Sequence, residues 1–323
     1  MLVYHAYPVP DEPASTAGYA YNPTTSRWRK LAPIPAPPEV SEGSNSAVWT
    51  GTEMIVEGLV DAAYNPATNT WRPVNTAPYN SGGGSVTVWT GRQVLKWGGG
   101  CCGDYSASGS AYVPDTNRWY PLPASPLAGR RAAGTWTGTE MVIVGGEGAP
   151  DANIGGTKAF ADAAAYNPVT HTWRRLPPLP APRKDATATW TGTEVLVVGG
   201  QAGAPSYQMY TDGVAYNPAT NRWRRIPAMP VGRVEHAAIW TGHQLLVWGG
   251  RTWRGDGWTT PLRGYAYNPA RNRWTPMPTS PLRARVGHAA VWTGSRMLIW
   301  GGEPVVGVSP NAPAFVDGAT YRP

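Results

Sequence analysis

The sequence predicts an all-β chain of four-stranded antiparallel blades, a β-propeller, and three observations carry that expectation. The first is a repeat. Trp-Thr-Gly begins at Trp49, Trp89, Trp136, Trp190, Trp240 and Trp292, spanning 243 residues in five steps, and self-similarity at a period of ~50 residues marks stacked supersecondary units. The second is a companion pair in each period: Tyr21 with Trp28, Tyr64 with Trp71, Tyr112 with Trp119, Tyr166 with Trp173, Tyr216 with Trp223, and Tyr267 with Trp274. The third is composition. With 39 Gly and 34 Pro among 323 residues long helices are disfavoured, because Gly costs backbone entropy and Pro breaks the hydrogen-bond ladder. The 17 Trp and 16 Tyr, against 2 Phe, need an interior to bury them, which excludes a disordered chain.

Each element of the unit has a local cause, seen in residues 234–282. Val234 to Trp240 is an apolar run, strand a, and Thr241-Gly242 supplies a tight turn. Leu245 to Trp248 is strand b, ended by Gly249-Gly250. A longer loop leads to strand c, Gly264 to Tyr267. Asn268-Pro269 then opens a turn, with Asn suited to its first position and Pro to its second. Arg273 to Pro276 is the outermost strand d, followed by a Pro-rich link. Four antiparallel strands in ~50 residues, punctuated by glycine, form one propeller blade. Residues 1–323 are expected to make a single such domain. Met1-Leu2-Val3 aligns with Met297-Leu298-Ile299, so the chain is expected to start inside a strand b and to end in a strand c at Ala319-Thr320-Tyr321. That inventory of 26 strands favours seven blades with the N-terminal d and a strands missing, six blades being the alternative.

The arrangement resembles the kelch repeat: a Gly-Gly pair ending the second strand, then Tyr, then Trp. Gly-Gly stands at 98–99, 145–146, 199–200, 249–250 and 301–302, and is degenerate at Glu57-Gly58 and His5-Ala6. Arg233/His236 and Arg285/His288 match the basic opening of the family's first strand. The resemblance covers essentially the whole chain and implies a galactose oxidase-like propeller fold. It does not extend to that enzyme's copper site, for which nothing here matches residue by residue. An arginine-rich mouth is a loose, fold-level parallel to a kelch-type sialic acid mutarotase.

The order a-b-c-d fixes a polarity. The a–b and c–d turns share one face and are short; the b–c and d–a connections share the other, here the near face. The b–c loops vary, from Gly58–Asp61 to Glu147–Ala163 and Glu303–Asp317, and variable loops on a rigid scaffold are where recognition resides. The net charge of +7 invites a nucleic-acid reading. However, twelve of the 27 basic residues flank the strand-d Trp around the outer edge, where charge discourages edge-to-edge pairing. No nucleic-acid partner is expected.

A smaller basic set is more telling. Seven residues before each Trp-Thr-Gly lie Glu42, Gly82, Gly129, Arg183, Arg233 and Arg285. Three guanidinium groups at one slot of the near-face mouth would bind carboxylate or phosphate through bidentate hydrogen bonds, unless each pairs with an acid such as Glu235, Asp185 or Glu42. Arg130, Arg131, Lys184 and Arg283 lie close to the same slot. Trp253, Trp258 and Asp256, in the loop that follows Arg251, offer apolar contact beside charge, as interface anchors do.

Other chemistry is sparse. Adjacent Cys101-Cys102 can bridge only through a strained ring, and no third ligand accompanies His236 and His288, so no metal or other cofactor is expected. No apolar run reaches the ~20 residues of a membrane span, and no charged-then-apolar leader opens the chain as given. The expected function is a non-enzymatic, monomeric binding scaffold whose near face recognises an anionic partner, an acidic protein segment or an acidic carbohydrate. The alternative is a carbohydrate-active enzyme using Glu235, His236 or His288 as acid–base groups.

Overall fold

A computed structural model describes residues 2–4, 18–34, 46–57, 61–78, 83–101, 103–151, 156–255, 257–304 and 314–323. The chain is all-β, with a single 3-10 turn, Pro114–Thr116, as the only helix among the described residues. It is a propeller of four-stranded antiparallel blades. The complete sheets, in the order a-b-c-d, are Ser46–Trp49, Met54–Glu57, Ala62–Asn65 and Thr70–Pro73; Val86–Trp89, Val94–Trp97, Gly109–Val113 and Arg118–Pro121; Arg131–Trp136, Met141–Asp151, Ala163–Asn167 and Thr172–Leu176; Lys184–Trp190, Val195–Gln201, Gly213–Asn217 and Arg222–Ile226; and Ala237–Trp240, Leu245–Trp248, Tyr265–Asn268 and Arg273–Pro276. A first sheet holds b, c and d only (Leu2–Tyr4, Gly18–Asn22, Arg27–Lys30), and a last one a, b and c only (Ala289–Trp292, Met297–Trp300, Gly318–Tyr321). Counted by the c–d hairpin that carries the Tyr–Trp pair, there are six blades, the alternative count; the last sheet has no d strand among the described residues.

The chain forms two compact units, one of residues 1–132, 138–141 and 166–174, the other of 133–137, 142–165 and 175–323. Within each, the b strands explain the packing. Val195, Leu196, Val197 and Val198 are all within 1% of full burial, which a strand needs only when both its faces are covered. Val195 and Val197 pack with Val142 and Val144, whereas Leu196 and Val198 pack with Leu245 and Val247. Leu246 and Trp248 in turn meet Met297 and Ile299. Alternate residues of one strand therefore face the preceding and the following sheet, as the period of two dictates. In the first unit Ile55 packs with Val94, and Met54 and Val56 pack with Leu31, by the same rule.

The Tyr–Trp pairs close the outer edge. Tyr64, Tyr112, Tyr216 and Tyr267 are fully buried, and their hydroxyls donate to Asn69, Asn117, Asn221 and Asn272 of the c–d turn at 2.6–2.8 Å. Each of those asparagines has φ between 46° and 57°, the left-handed conformation that Asn tolerates. The Trp indoles reach to the preceding sheet: Trp71 donates to the Ala32 carbonyl, Trp119 to Asn75, Trp173 to Pro123, Trp223 to Pro177 and Trp274 to Pro227, at 2.6–3.0 Å. The flanking arginines are engaged as well. Arg72, Arg174 and Arg224 make bidentate pairs with Glu53, Glu140 and Glu194. The b–c connection after Gly145-Gly146 is a hairpin, with strand b running on to Asp151 and pairing with Gly156–Ala159. Where Glu57 replaces a glycine, its buried carboxylate lies 2.9 Å from Lys96 and is raised in pKa by burial.

Candidate functional site

The near-face ends of the fourth, fifth and sixth a strands of the chain's described set, all after residue 175, gather the residues singled out in sequence. Their geometry starts from the glycine pairs. Gly199 and Gly200 have φ of 66° and 88°, Gly249 and Gly250 71° and 81°, Gly301 and Gly302 68° and 91°. A β-carbon on Gly199 would stand 2.6 Å from the Arg233 carbonyl oxygen. Only glycine fits, and the next strand a passes against it.

This close pass gives the arginine slot its structural meaning. The Arg183, Arg233 and Arg285 carbonyls accept from the amides of Gly146, Gly200 and Gly250 of the preceding sheet at 2.8–3.0 Å. Their side chains turn the other way: Nη1 of Arg183, Arg233 and Arg285 donates to the Gly199, Gly249 and Gly301 carbonyls of their own sheet at 3.2, 3.1 and 2.8 Å. Each arginine thus ties two sheets together, and each is at most 1% exposed. Arg130 is a fourth member. It is fully buried, its carbonyl accepts from Gly99 and its Nε donates to the Ala128 carbonyl. It stands one residue nearer its Trp than the others, so counting from Trp136 lands on Gly129.

The residue just before strand c supplies the outer partners. Arg183 pairs with Asp212 at 3.1 Å and Arg285 with Asp317 at 2.8 Å. In the sheet between them Arg263 occupies the same register position, and it is the Arg263 backbone carbonyl that accepts from Arg233 Nη2, at 3.1 Å. Burial pushes the Arg233 pKa down to about 10. Arg263, Arg254 and Arg283 are exposed on near-face connections.

The histidines point inward. His236 is buried, with Nε2 3.0 Å from Thr187 Oγ1, and its ring lies against Gly199. His288 stacks edge-on to Trp248 at 5.0 Å and lies against Gly249. Burial first, and then the charge of Arg233 or Arg285, pushes their pKa values down to about 3 and about 4. Both are neutral at pH 7. Among the described residues no group of three His, Cys, Asp or Glu is placed to hold a metal ion.

Glu235 faces outward, away from its neighbour His236. Its φ of 55° puts it in the left-handed region, shared with Asp185 (56°) and Gly287 (63°) at the equivalent positions. The carboxylate accepts from Arg251 Nη2 at 2.6 Å. The Arg251 guanidinium in turn lies 4.2 Å over the Trp258 ring, within cation–π range. Trp258 packs edge-to-face on Trp253 at 5.6 Å and 72°, the two facing across a short ribbon, Thr252–Trp253 with Trp258–Thr259. Trp253 remains 45% exposed. Glu235, Trp253 and Trp258 are thereby joined into one surface ladder through Arg251, which sequence reasoning passed over. Its signal was present: an arginine directly after a glycine pair, opposite an acid. Asp256 lies outside the described residues, as do Glu42, Gly82, Cys102 and the His5-Ala6 pair.

Comparison with known proteins finds that the Kelch motif model matches residues 182–230. Kelch-like protein 25 of Xenopus tropicalis is 27% identical over 203 residues, covering 57% of this chain and 32% of that protein. The chain therefore spans about a third of the relative's length. No helix among the described residues is long and apolar enough to cross a membrane.

Proposed function

We propose, from the premise that this chain is a kelch-repeat β-propeller, that it is a non-enzymatic scaffold which docks an acidic protein segment on the near face of the sheet Ala237–Pro276. Kelch-repeat propellers act in general as protein-interaction scaffolds. The observation that carries the placement is the ladder Glu235–Arg251–Trp258–Trp253, which holds a half-exposed indole rigidly on a variable loop. A pre-ordered aromatic anchor loses little entropy on binding, and such anchors dominate interface energetics.

The charge argument rests on different arginines from those that the repeat picks out. Arg183 and Arg285 are committed to backbone carbonyls and to Asp212 and Asp317, whereas Arg254, Arg263 and Arg283 are exposed on near-face connections. They favour an anionic partner by steering as much as by contact. The test is selection of displayed random peptides on the immobilised protein. Enrichment of Asp and Glu is expected, together with a loss of at least ~10-fold in affinity for W253A, the scale of an interface hot spot. Peptides that show no acidic bias, or that bind W253A unchanged, would refute the reading.

A further inference from the structure

Among Arg183, Arg233 and Arg285, one slot departs from the other two. In the sheets on either side of Arg233, the buried guanidinium is capped by two groups. One is the carboxylate just before strand c, Asp212 or Asp317. The other is an aromatic ring two residues earlier, Tyr210 at 4.4 Å from Arg183 or Phe315 at 4.3 Å from Arg285. At the equivalent positions beside Arg233 stand Arg263 and Pro261. Among the described residues no carboxylate pairs with Arg233, and the nearest ring face, Tyr265, is 5.7 Å away; its Nε has no hydrogen-bond partner, a feature it shares with Arg183. A buried guanidinium that lacks a counter-charge carries a desolvation penalty, here one that no described carboxylate offsets. An added arginine in place of the missing acid doubles the demand for an anion.

We infer that Arg233 and Arg263 form a carboxylate-binding site, in which a carboxylate from a ligand takes the place that Asp212 and Asp317 fill in the flanking sheets. The route is set by those sheets. The Asp212 and Asp317 side chains are 41% and 56% exposed while ion-paired with fully buried arginines, so this position reaches both solvent and guanidinium. The exposed Arg263 side chain closes on the outer oxygen, and Arg233 Nη2 and Nε donate to the inner one. Two guanidinium groups from one side match the forked acceptor geometry of a carboxylate. Arg263 lies on the same near-face b–c connection as the Trp253 ladder, so the site deepens the acidic-partner reading and rests on it.

The experiment exploits the repeat. R263D rebuilds the internal pair of the flanking sheets, so the variant is expected to fold, to unfold at higher denaturant concentration than the parent, and to lose carboxylate binding by ~10-fold or more. R254D makes the same change of charge on the same loop without touching the slot, and is expected to cost only a few-fold. Two probes separate the sources of the carboxylate. One is the capped tripeptide Gly-Glu-Gly, with its Gly-Gln-Gly counterpart as control; the other is glucuronate. Binding is followed by the Arg Nε–Hε NMR signals. R263D-sensitive binding of either probe supports the site and names the source. Binding of neither probe, or equal losses in R263D and R254D, overturns it. The scaffold proposal fails separately, through W253A: peptides that lose affinity for W253A but not for R263D would leave the scaffold standing without this site.

Discussion

Replacing Arg285 by Met, compared with the same change at Arg233, measures what the arginine slot does for the fold. Methionine keeps the apolar stem and removes only the guanidinium. At Arg285 the loss comprises donors to the Arg283, Gly301 and Asp317 carbonyls at 3.0, 2.8 and 3.3 Å and the ion pair with Asp317. Breaking a buried pair costs about 3–5 kcal/mol. Asp317 is half exposed and rehydrates, so the low end applies, about 3 kcal/mol. At Arg233 two carbonyl bonds are lost, and the desolvation penalty of an unpaired buried cation is relieved at the same time. The two largely cancel, leaving about 1 kcal/mol. Urea denaturation followed by tryptophan fluorescence gives both values, and the gap of about 2 kcal/mol is well outside extrapolation error for matched slopes. If R233M destabilises as much as R285M, then Arg233 has a counter-charge within the chain, and the reasoning on its unpaired state fails.

Two further outcomes follow from the same junctions. G199A should be severely destabilising, by more than about 3 kcal/mol, because its β-carbon meets the Arg233 carbonyl at 2.6 Å as well as requiring φ of 66°. G242A has φ of 95° but open space around the new methyl and should cost only about 1–2 kcal/mol in thermal or urea unfolding. His236 and His288 have folded pKa values of about 3 and about 4, below the ordinary 6.5, so the unfolded chain binds the extra protons. Their contribution is complete above pH 6.5 and is lost as pH falls toward 4 and then 3. Each histidine contributes a slope of up to ~1.4 kcal/mol per pH unit within its window. Subtracting the H236Q stability profile from that of the parent between pH 4 and 7.5 isolates one of these slopes, and a flat difference would refute it.

What was legible in the sequence was whatever the repeat imposes on every copy. The b strands read as continuous apolar runs because both of their faces are covered, and the Tyr–Trp pair recurs because the indoles of Trp71, Trp119, Trp173, Trp223 and Trp274 each reach a carbonyl of the neighbouring sheet. Side-chain direction was not legible. Glu235 and His236 are adjacent and each reads as a candidate acid–base group, yet a left-handed backbone at Glu235 sends one to Arg251 and the other to Thr187. Arg130 was hidden by a strand one residue shorter. The arginines of the slot carry a broader lesson about repeat proteins. A residue that recurs at one position in successive blades is most simply explained by a duty those blades share, here the capping of a glycine carbonyl at a junction by Arg183, Arg233 and Arg285. Specific recognition has to be sought where a copy departs from that pattern. Arg263 in place of Asp, Pro261 in place of an aromatic ring, and the Trp253–Trp258 ribbon all fall in a single b–c connection. Folding does not require these three departures, and the proposed binding site beside Arg233, which lacks a carboxylate partner among the described residues, would account for them together.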